Sequence, residues 1–99
     1  MRLHVTQSAK RDLKSIWAYI AADSRTAADR VHAQLTLQFE SILRNPQIGK
    51  VRPDIADDVR GVPVGRYLIL YIQFHGAIYI MRVLHGARDI RKAYREGID

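Results

Sequence analysis

The stretch from Arg66 to His85 constrains the fold of this 99-residue chain more than any other. Residues 66–74 are mostly aliphatic or aromatic, His75-Gly76 has the composition of a tight turn, and residues 77–85 return with the same apolar character. Two such runs joined by two turn residues predict a β-hairpin. Apolar side chains occupy both alternating sets of positions in each strand, so both faces of the hairpin need to be covered.

Two predicted helices precede the hairpin and can cover one of its faces. Apolar residues recur at spacings of three and four over residues 9–21, which is the pattern of one helical stripe. A longer stripe covers residues 28–43 and should end at Arg44-Asn45, because the residue before Pro46 is steered away from the helical region. Asp23-Ser24 separates the two stripes, so they predict an antiparallel helix hairpin with one shared apolar side.

The remaining segments complete an α+β prediction. Leu3 to Thr6 is a short strand candidate, residues 47–58 are predicted to form a loop, and residues 90–95 a short final helix. Residues 59–64 are predicted to form an irregular or edge strand, because Pro63 has no N–H to donate to a sheet. The expected architecture is an N-terminal strand, an antiparallel two-helix hairpin packed on one face of a small, mostly antiparallel sheet, and a short C-terminal helix or tail.

The length of the chain limits how the second face of the hairpin can be covered. Residues 1–99 are expected to form a single domain, and a chain of this size buries only about 60–65% of its unfolded surface. Three alternatives follow for the second face. Loops and the tail shield it, it is buried as in any central strand, or it is kept for a partner.

Several classes of site are excluded by composition and spacing. The chain has no cysteine, which excludes disulfides, thiolate zinc sites and cysteine nucleophiles. The histidines are far apart in sequence, and the acidic residues of the loop lack calcium-loop spacing, so no metal site is predicted. No glycine-rich phosphate loop is present, so no cofactor is expected. We see no signal-peptide pattern and no apolar run of about 18 residues, and we expect a cytoplasmic protein without a membrane segment.

Positive charge is concentrated in the last two-fifths of the chain. The net charge is +6, and residues 60–99 hold seven Lys/Arg against three Asp/Glu, whereas residues 1–59 hold nine against seven. A basic surface attracts nucleic acid or an acidic protein. An excess of this size can also serve solubility alone.

Four cationic or titratable residues gather near the open end of the predicted hairpin: Arg66, Arg82, His85 and Arg88. A turn centred on His75-Gly76 would place Arg66 opposite His85. Arginines hold phosphate bidentately, and a histidine can move a proton near neutral pH. The group therefore fits either metal-free RNA cleavage, with His85 as acid or base, or a docking patch without chemistry.

Three stretches of the chain carry a family resemblance. Residues 9–21 read AKRDLKSIWAYIA, residues 42–49 read ILRNPQIG, and residues 66–71 (RYLILY) precede residues 80–89 (IMRVLHGARD). In this order they resemble the first helix, the end of the second helix and the strand ending of the RelE/ParE superfamily of bacterial type II toxin–antitoxin toxins. The last stretch is most similar to the ParE branch.

The resemblance implies a partner and two alternative targets. The partner is a cognate, ParD-like antitoxin whose disordered C-terminal segment wraps the toxin, so a hetero-oligomer is expected that reaches operator DNA only through the antitoxin. RelE-like members cleave mRNA on the ribosome, whereas ParE-like members inhibit growth by poisoning DNA gyrase. Gly86 follows His85 where several ribonuclease members place a tyrosine. The second helix and the loop after it carry few lysines, whereas ribosome-dependent members are usually richer there, so the ParE branch is favoured. A non-toxic module that acts only in regulation is a third hypothesis.

Each hypothesis assigns roles to particular residues. For gyrase binding, no residue is catalytic and the predicted target contacts are Arg66, Arg82, His85, Arg88 and Arg91. For a metal-free endoribonuclease, the predicted catalytic residues are His85, Arg66 and Arg82. Antitoxin contacts are expected on the helix hairpin and the open sheet, at Leu13, Trp17, Ile20, Leu35, Tyr67, Ile69 and Tyr71. The same apolar residues are also candidates for the core.

Overall fold

The computed structural model describes residues 1–96, and its elements follow the predicted order. They are β1 (Arg2–Val5), α1 (Gln7–Ala21), α2 (Arg25–Arg44), β2 (Lys50–Val51), β3 (Arg60–Val64), β4 (Tyr67–Phe74), β5 (Ala77–His85) and α3 (Ile90–Glu96). The five strands form one sheet in the order β1-β5-β4-β3-β2. β1 pairs with β5 in parallel, and the other pairings are antiparallel. The predicted α+β class is confirmed, and β2 adds a short strand within the segment predicted as a loop.

Local capping explains where α1 and α2 begin. The Thr6 hydroxyl accepts a hydrogen bond from the Ala9 N–H at 3.2 Å, and the Ser24 hydroxyl accepts one from the Ala27 N–H at 3.1 Å. Each cap satisfies an N–H that has no partner inside its helix. α2 ends directly before Asn45-Pro46, as predicted. None of the helices among residues 1–96 combines the length and the apolar character needed to cross a bilayer.

The β4–β5 hairpin turns at the predicted dipeptide. His75 and Gly76 have φ angles of 48° and 74°, the left-handed conformation that a two-residue type I′ turn requires at both positions. Further along the hairpin, the register shifts between Leu70 and Tyr71, where Met81 is one extra residue in β5. Such a β-bulge leaves two residues of one strand opposite one residue of the other.

The bulge corrects one prediction about the open end of the hairpin. His85 lies opposite Tyr67, not opposite Arg66. Arg66 instead accepts a hydrogen bond at its carbonyl from the Gly86 N–H, at 2.8 Å. The expectation assumed a regular ladder, and the extra residue displaces every pair beyond the bulge by one position.

Each face of the sheet has its own core. The helices α1 and α2 cover one face, which holds Ala9, Leu35, Phe39, Ile42, Val62, Ile69, Tyr71, Ile78, Ile80 and Val83. The loop after β2 and the helix α3 cover the other face, which holds Ile55, Val59, Leu70, Leu84, Ala93 and Tyr94. Of the three alternatives for the second face, the structure therefore shows shielding by a loop and the tail.

Pro63 lies in the part of β3 that has a neighbouring strand on one side only. β2 pairs only with Arg60 and Gly61 of β3, so Pro63 has a partner strand only on the β4 side. A residue without an N–H is tolerated at such a position, because no second strand needs it as a donor. The predicted edge position is confirmed.

A buried tyrosine anchors the loop that follows α2. The Tyr71 hydroxyl accepts a hydrogen bond from the Gly49 N–H at 2.9 Å and donates one to the Pro46 carbonyl at 2.8 Å. A Cβ on Gly49 would stand 2.7 Å from that hydroxyl oxygen, so this position needs glycine. The stretch at residues 42–49 that carries part of the family resemblance thus has a structural purpose.

Candidate functional site

The hairpin end is the group formed by Arg66, Tyr67, His85, Gly86 and Arg88, where β4 begins and β5 finishes. The half-buried His85 ring meets the Tyr67 ring edge-on, with centroids 5.4 Å apart and planes at 84°. The His85 Nδ1 accepts a hydrogen bond from the Ala87 N–H at 3.1 Å. Because that backbone group can only donate, neutral His85 carries its proton on Nε2.

Two exposed arginines flank this histidine. The Arg66 backbone is tied to Gly86, and the Arg88 N–H donates to the His85 carbonyl at 3.1 Å, so the backbone of the turn is held on both sides. Within residues 1–96, neither the Arg66 nor the Arg88 guanidinium pairs with a carboxylate. Two guanidinium groups beside an imidazole ring can bind an anionic ligand or an acidic protein surface.

Arg82 has a different environment from the arginines of the hairpin end. Only 6% of Arg82 is exposed, and its guanidinium forms a two-pronged pair with Asp12, at 2.7 Å through Nε and 2.8 Å through Nη2. The same guanidinium donates to the carbonyls of Ala93 and Tyr94. Asp12 also accepts from the Val83 N–H at 3.0 Å. This buried cluster joins α1, β5 and α3.

The buried cluster affects both predicted roles of Arg82, as a target contact and as a catalytic residue of a ribonuclease. A guanidinium enclosed by Asp12 and by carbonyls of α3 is not presented to a target, so the predicted contact by Arg82 is not carried forward. The predicted ribonuclease trio does not converge either, because only His85 and Arg66 lie at the hairpin end. Arg91 is exposed on α3 and stays a predicted contact.

A groove of about 790 Å³ begins at the hairpin end and passes between the helix hairpin and the sheet. We name it the long groove, and its apolar floor consists of Ile16, Ile20, Val31, Val64, Tyr67 and Val83. Adjoining clefts extend it past Tyr19 on one side and to Leu37 on the other. Tyr19 is 82% exposed and Leu37 is 62% exposed, so a large apolar side chain is open to solvent at each side of the long groove.

The described residues provide no site for a metal ion. Among residues 1–96 no group of three or more His, Asp or Glu side chains comes close enough to hold one.

Comparison with known proteins identifies the family. The sequence-family model described as "ParE toxin of type II toxin-antitoxin system, parDE" matches residues 3–90 of this chain. The chain belongs to this ParE toxin family. It is therefore the toxin of a type II toxin–antitoxin system, and the ParE branch favoured by the sequence is confirmed. Such a system supplies a cognate antitoxin as partner.

A solved structure of a ParE-family system has the same fold. The "Chromosomal ParDE TA system from P. aeruginosa" matches with a TM-score of 0.74 at 20% identity, covering 86% of this chain and 95% of that one. A search among curated protein sequences finds no match.

The predicted antitoxin contacts of this ParE-family chain fall into three places. Leu35, Ile69 and Tyr71 are fully buried in the core and are not carried forward as contacts. Ile20 and Tyr67 line the long groove. Leu13 and Trp17 line a second groove on a different side of α1, which we name the basic groove and which includes Lys10, Arg11, Leu13, Lys14, Trp17 and Asp29.

Sequence reasoning missed much of the long groove. Its additional members include Ile16, Tyr19, Val31, Leu37 and Val64. Ile16 and Val31 belong to the same helical stripes as the core, so their spacing carries no signal that separates groove from core. Tyr19 lies off the stripe, and an aromatic residue on the polar side of a helix is a sequence signal that could have identified this surface.

Proposed function

We propose that this chain is a ParE-like toxin that inhibits DNA gyrase by binding it, and that a ParD-like antitoxin neutralises it by occupying the long groove. The observation that supports gyrase binding is the hairpin end, where the exposed Arg66 and Arg88 lie beside the half-buried His85, while Arg82 is buried in the interior. Because Arg82 does not lie with His85 and Arg66, the site supports binding better than RNA cleavage.

The hairpin end offers charge that can steer a partner and fix its orientation. Arg66 and Arg88 have no carboxylate partner within residues 1–96, and the chain as a whole carries a net charge of +6. Complementary charge raises association rates and sets register more than it raises raw affinity. Arg91, exposed on α3, extends the proposed target surface beyond the hairpin end.

The long groove suits an amphipathic segment that folds as it binds. Its floor is apolar, its rim carries the exposed Tyr19 and Leu37, and its far wall is cationic at Arg66 and Arg88. An antitoxin segment would place apolar residues on the floor and acidic residues beside the arginines. A segment in this position also covers His85, so neutralisation follows from blocking the target surface. The antitoxin would carry the contact to operator DNA, and the complex would be a hetero-oligomer in the cytoplasm.

A supercoiling assay with purified gyrase tests the target. The wild-type chain is expected to inhibit supercoiling and to leave gyrase-linked DNA breaks. The variant Arg66→Ala/Arg88→Ala should lose inhibition, while Arg25→Ala/Arg30→Ala, which removes two exposed arginines from α2, should retain it.

The same proteins expressed in cells separate the alternatives. Absence of inhibition and of DNA breaks would remove the gyrase proposal. Cleaved mRNA that disappears in His85→Ala would establish the endoribonuclease instead. Normal growth during expression of the wild-type chain alone would establish the non-toxic regulatory module.

Negative charge introduced at the rim tests the antitoxin groove. Tyr19→Glu/Leu37→Glu places carboxylates on the rim at two exposed positions, so the fold should survive while rescue by the co-expressed antitoxin fails. Phe74→Glu is the matched control, because Phe74 is 57% exposed at the opposite end of β4. Full rescue of the double variant would contradict the proposed groove.

A further inference from the structure

The basic groove has the features of a second docking surface. It has a volume of about 680 Å³, and Leu13 and Trp17 form its apolar part between α1 and α2. Both side chains are half-buried, so they are neither core residues nor freely solvated ones. The proposed function, which uses the hairpin end and the long groove, assigns no purpose to this side of α1.

Charge in the basic groove is strongly one-sided. Lys10, Arg11 and Lys14 rim it from α1, and its single carboxylate is Asp29. Within residues 1–96, Lys10 and Lys14 form no ion pair, and Asp29 accepts a hydrogen bond from the indole of Trp17. The groove therefore presents positive charge around an apolar centre, which complements a ligand that carries acidic and apolar groups together.

Trp17 is held in place before any ligand arrives. Its Nε1–H donates to the Asp29 Oδ1 at 2.9 Å, a bond that joins α1 to α2. The bond satisfies the polar edge of the ring and fixes the orientation of its apolar faces. A large aromatic side chain that is rigid in the free protein loses little entropy on binding, which is a property of interface hot spots.

We propose that the basic groove binds an acidic amphipathic helical segment of a partner protein, with apolar side chains against Leu13 and Trp17 and carboxylates beside Lys10 and Lys14. A peptide is favoured over nucleic acid because the centre of the groove is apolar. A phosphate backbone would use the lysines but gain little from Leu13. This inference does not depend on the gyrase target or on the antitoxin groove.

Trp17 is the single tryptophan of the chain, so its fluorescence reports this groove directly. The probe is a synthetic peptide of about 15 residues, or four helical turns, with leucines at helical spacing on one face and glutamates on its flanks. Titration into the full chain, with excitation at the red edge of the indole band, should give a saturable shift of the Trp17 emission. A scrambled peptide of identical composition should bind about tenfold more weakly, and a peptide with lysines in place of the glutamates should give no shift.

Variants of the full chain locate the contacts. Lys10→Glu/Lys14→Glu should weaken the acidic peptide by at least about tenfold, whereas Lys50→Glu/Lys92→Glu, with the same charge change on exposed residues outside the groove, should not. Asp29→Ala should weaken binding by freeing the indole, and Asp29→Asn, which keeps an acceptor oxygen, should restore it. Rescue by asparagine separates positioning of the ring from simple electrostatics.

Three outcomes would overturn the inference. Equal binding of the scrambled peptide would reduce the groove to general charge attraction. A tighter Trp17 response to duplex DNA than to the acidic peptide would assign it to nucleic acid. An unchanged affinity in Lys10→Glu/Lys14→Glu, with the fold intact by circular dichroism, would place the peptide elsewhere.

Discussion

The buried cluster and the hairpin end both contain arginines from one short stretch of sequence, yet the fold uses them in opposite ways. Arg82 is enclosed, paired with Asp12 and bonded to carbonyls of α3. Arg66 and Arg88 are exposed beside His85. An arginine in a family motif is therefore not by itself a sign of target contact, because burial decides whether its charge serves the fold or the surface.

The physical difference between the two regions is how much hydration each guanidinium has lost on folding. Arg82 has left water, so its desolvation has to be offset by two hydrogen bonds to Asp12 and further bonds to carbonyls. Arg66 and Arg88 keep their hydration and can exchange it for a partner. Substitutions in the two regions should accordingly separate stability from activity.

The largest effect is expected from Arg82→Ala. It leaves the Asp12 carboxylate buried without its guanidinium, which should lower the free energy of unfolding by about 3–5 kcal/mol in urea titrations. Because a small domain has little stability to lose, Arg82→Met/Asp12→Leu serves as a second variant that removes both charges and should cost clearly less. A loss below about 1 kcal/mol for the single variant would show that the pair contributes little.

Tyr71→Phe should have the next largest effect. It removes a hydroxyl that accepts from Gly49 and donates to Pro46, and the unpaired buried Gly49 N–H should cost about 1–3 kcal/mol. Tyr19→Phe is the matched control, since that side chain is 82% exposed and should change stability by less than about 0.5 kcal/mol. Equal midpoints of urea unfolding for Tyr71→Phe and Tyr19→Phe would contradict the anchoring role of Tyr71.

Alkaline pH should destabilise the interior of the protein. Burial raises the pKa of Tyr71 and of Tyr94 above the ordinary value of 10.0, although the Gly49 N–H and Arg60 partly oppose this for Tyr71 and Arg82 opposes it for Tyr94. An acid whose pKa is raised by folding stabilises the fold below its unfolded pKa. That contribution is lost as pH rises from about 10 through the folded pKa. Urea midpoints should fall over this window, and less so in Tyr71→Phe; a rise with pH would contradict the assignment.

The smallest effect on stability is expected at the hairpin end. Arg66→Ala/Arg88→Ala removes exposed charges without carboxylate partners among residues 1–96, so the free energy of unfolding should change by less than about 0.5 kcal/mol. Inhibition of supercoiling should nevertheless need roughly tenfold more protein, or fail altogether. A destabilisation as large as that of Tyr71→Phe would show that these arginines are structural after all.

Much of the fold followed from local patterns. Helical spacing and the proline after α2 predicted both long helices, and His75-Gly76 predicted the hairpin turn. The pairing of Arg66 with His85 was wrong, because the alternating pattern predicts a regular ladder, whereas Met81 is an extra residue in β5. The short strand β2 was missed for a similar reason, since only its pairing with β3 makes it a strand.

The functional residues were harder to separate from the core. Leu35 and Ile20 lie on equivalent helical stripes, yet Leu35 is fully buried and Ile20 lines the long groove. Periodicity reports the side of a helix that faces the protein and not the depth of each residue within it. Likewise, Asp12 belongs to the family's first-helix stretch, but nothing local shows that its partner is Arg82, 70 positions away.

By itself, the sequence determined the class of fold, the family and the concentration of positive charge toward the end of the chain. These follow from periodicity, turn chemistry and motif order, which are local properties of the chain. Only the tertiary structure decided which arginine is buried, which face of the hairpin the tail covers, and which apolar side chains border a groove. Those outcomes depend on contacts between residues far apart in sequence, where desolvation and hydrogen bonding are settled by the whole fold at once.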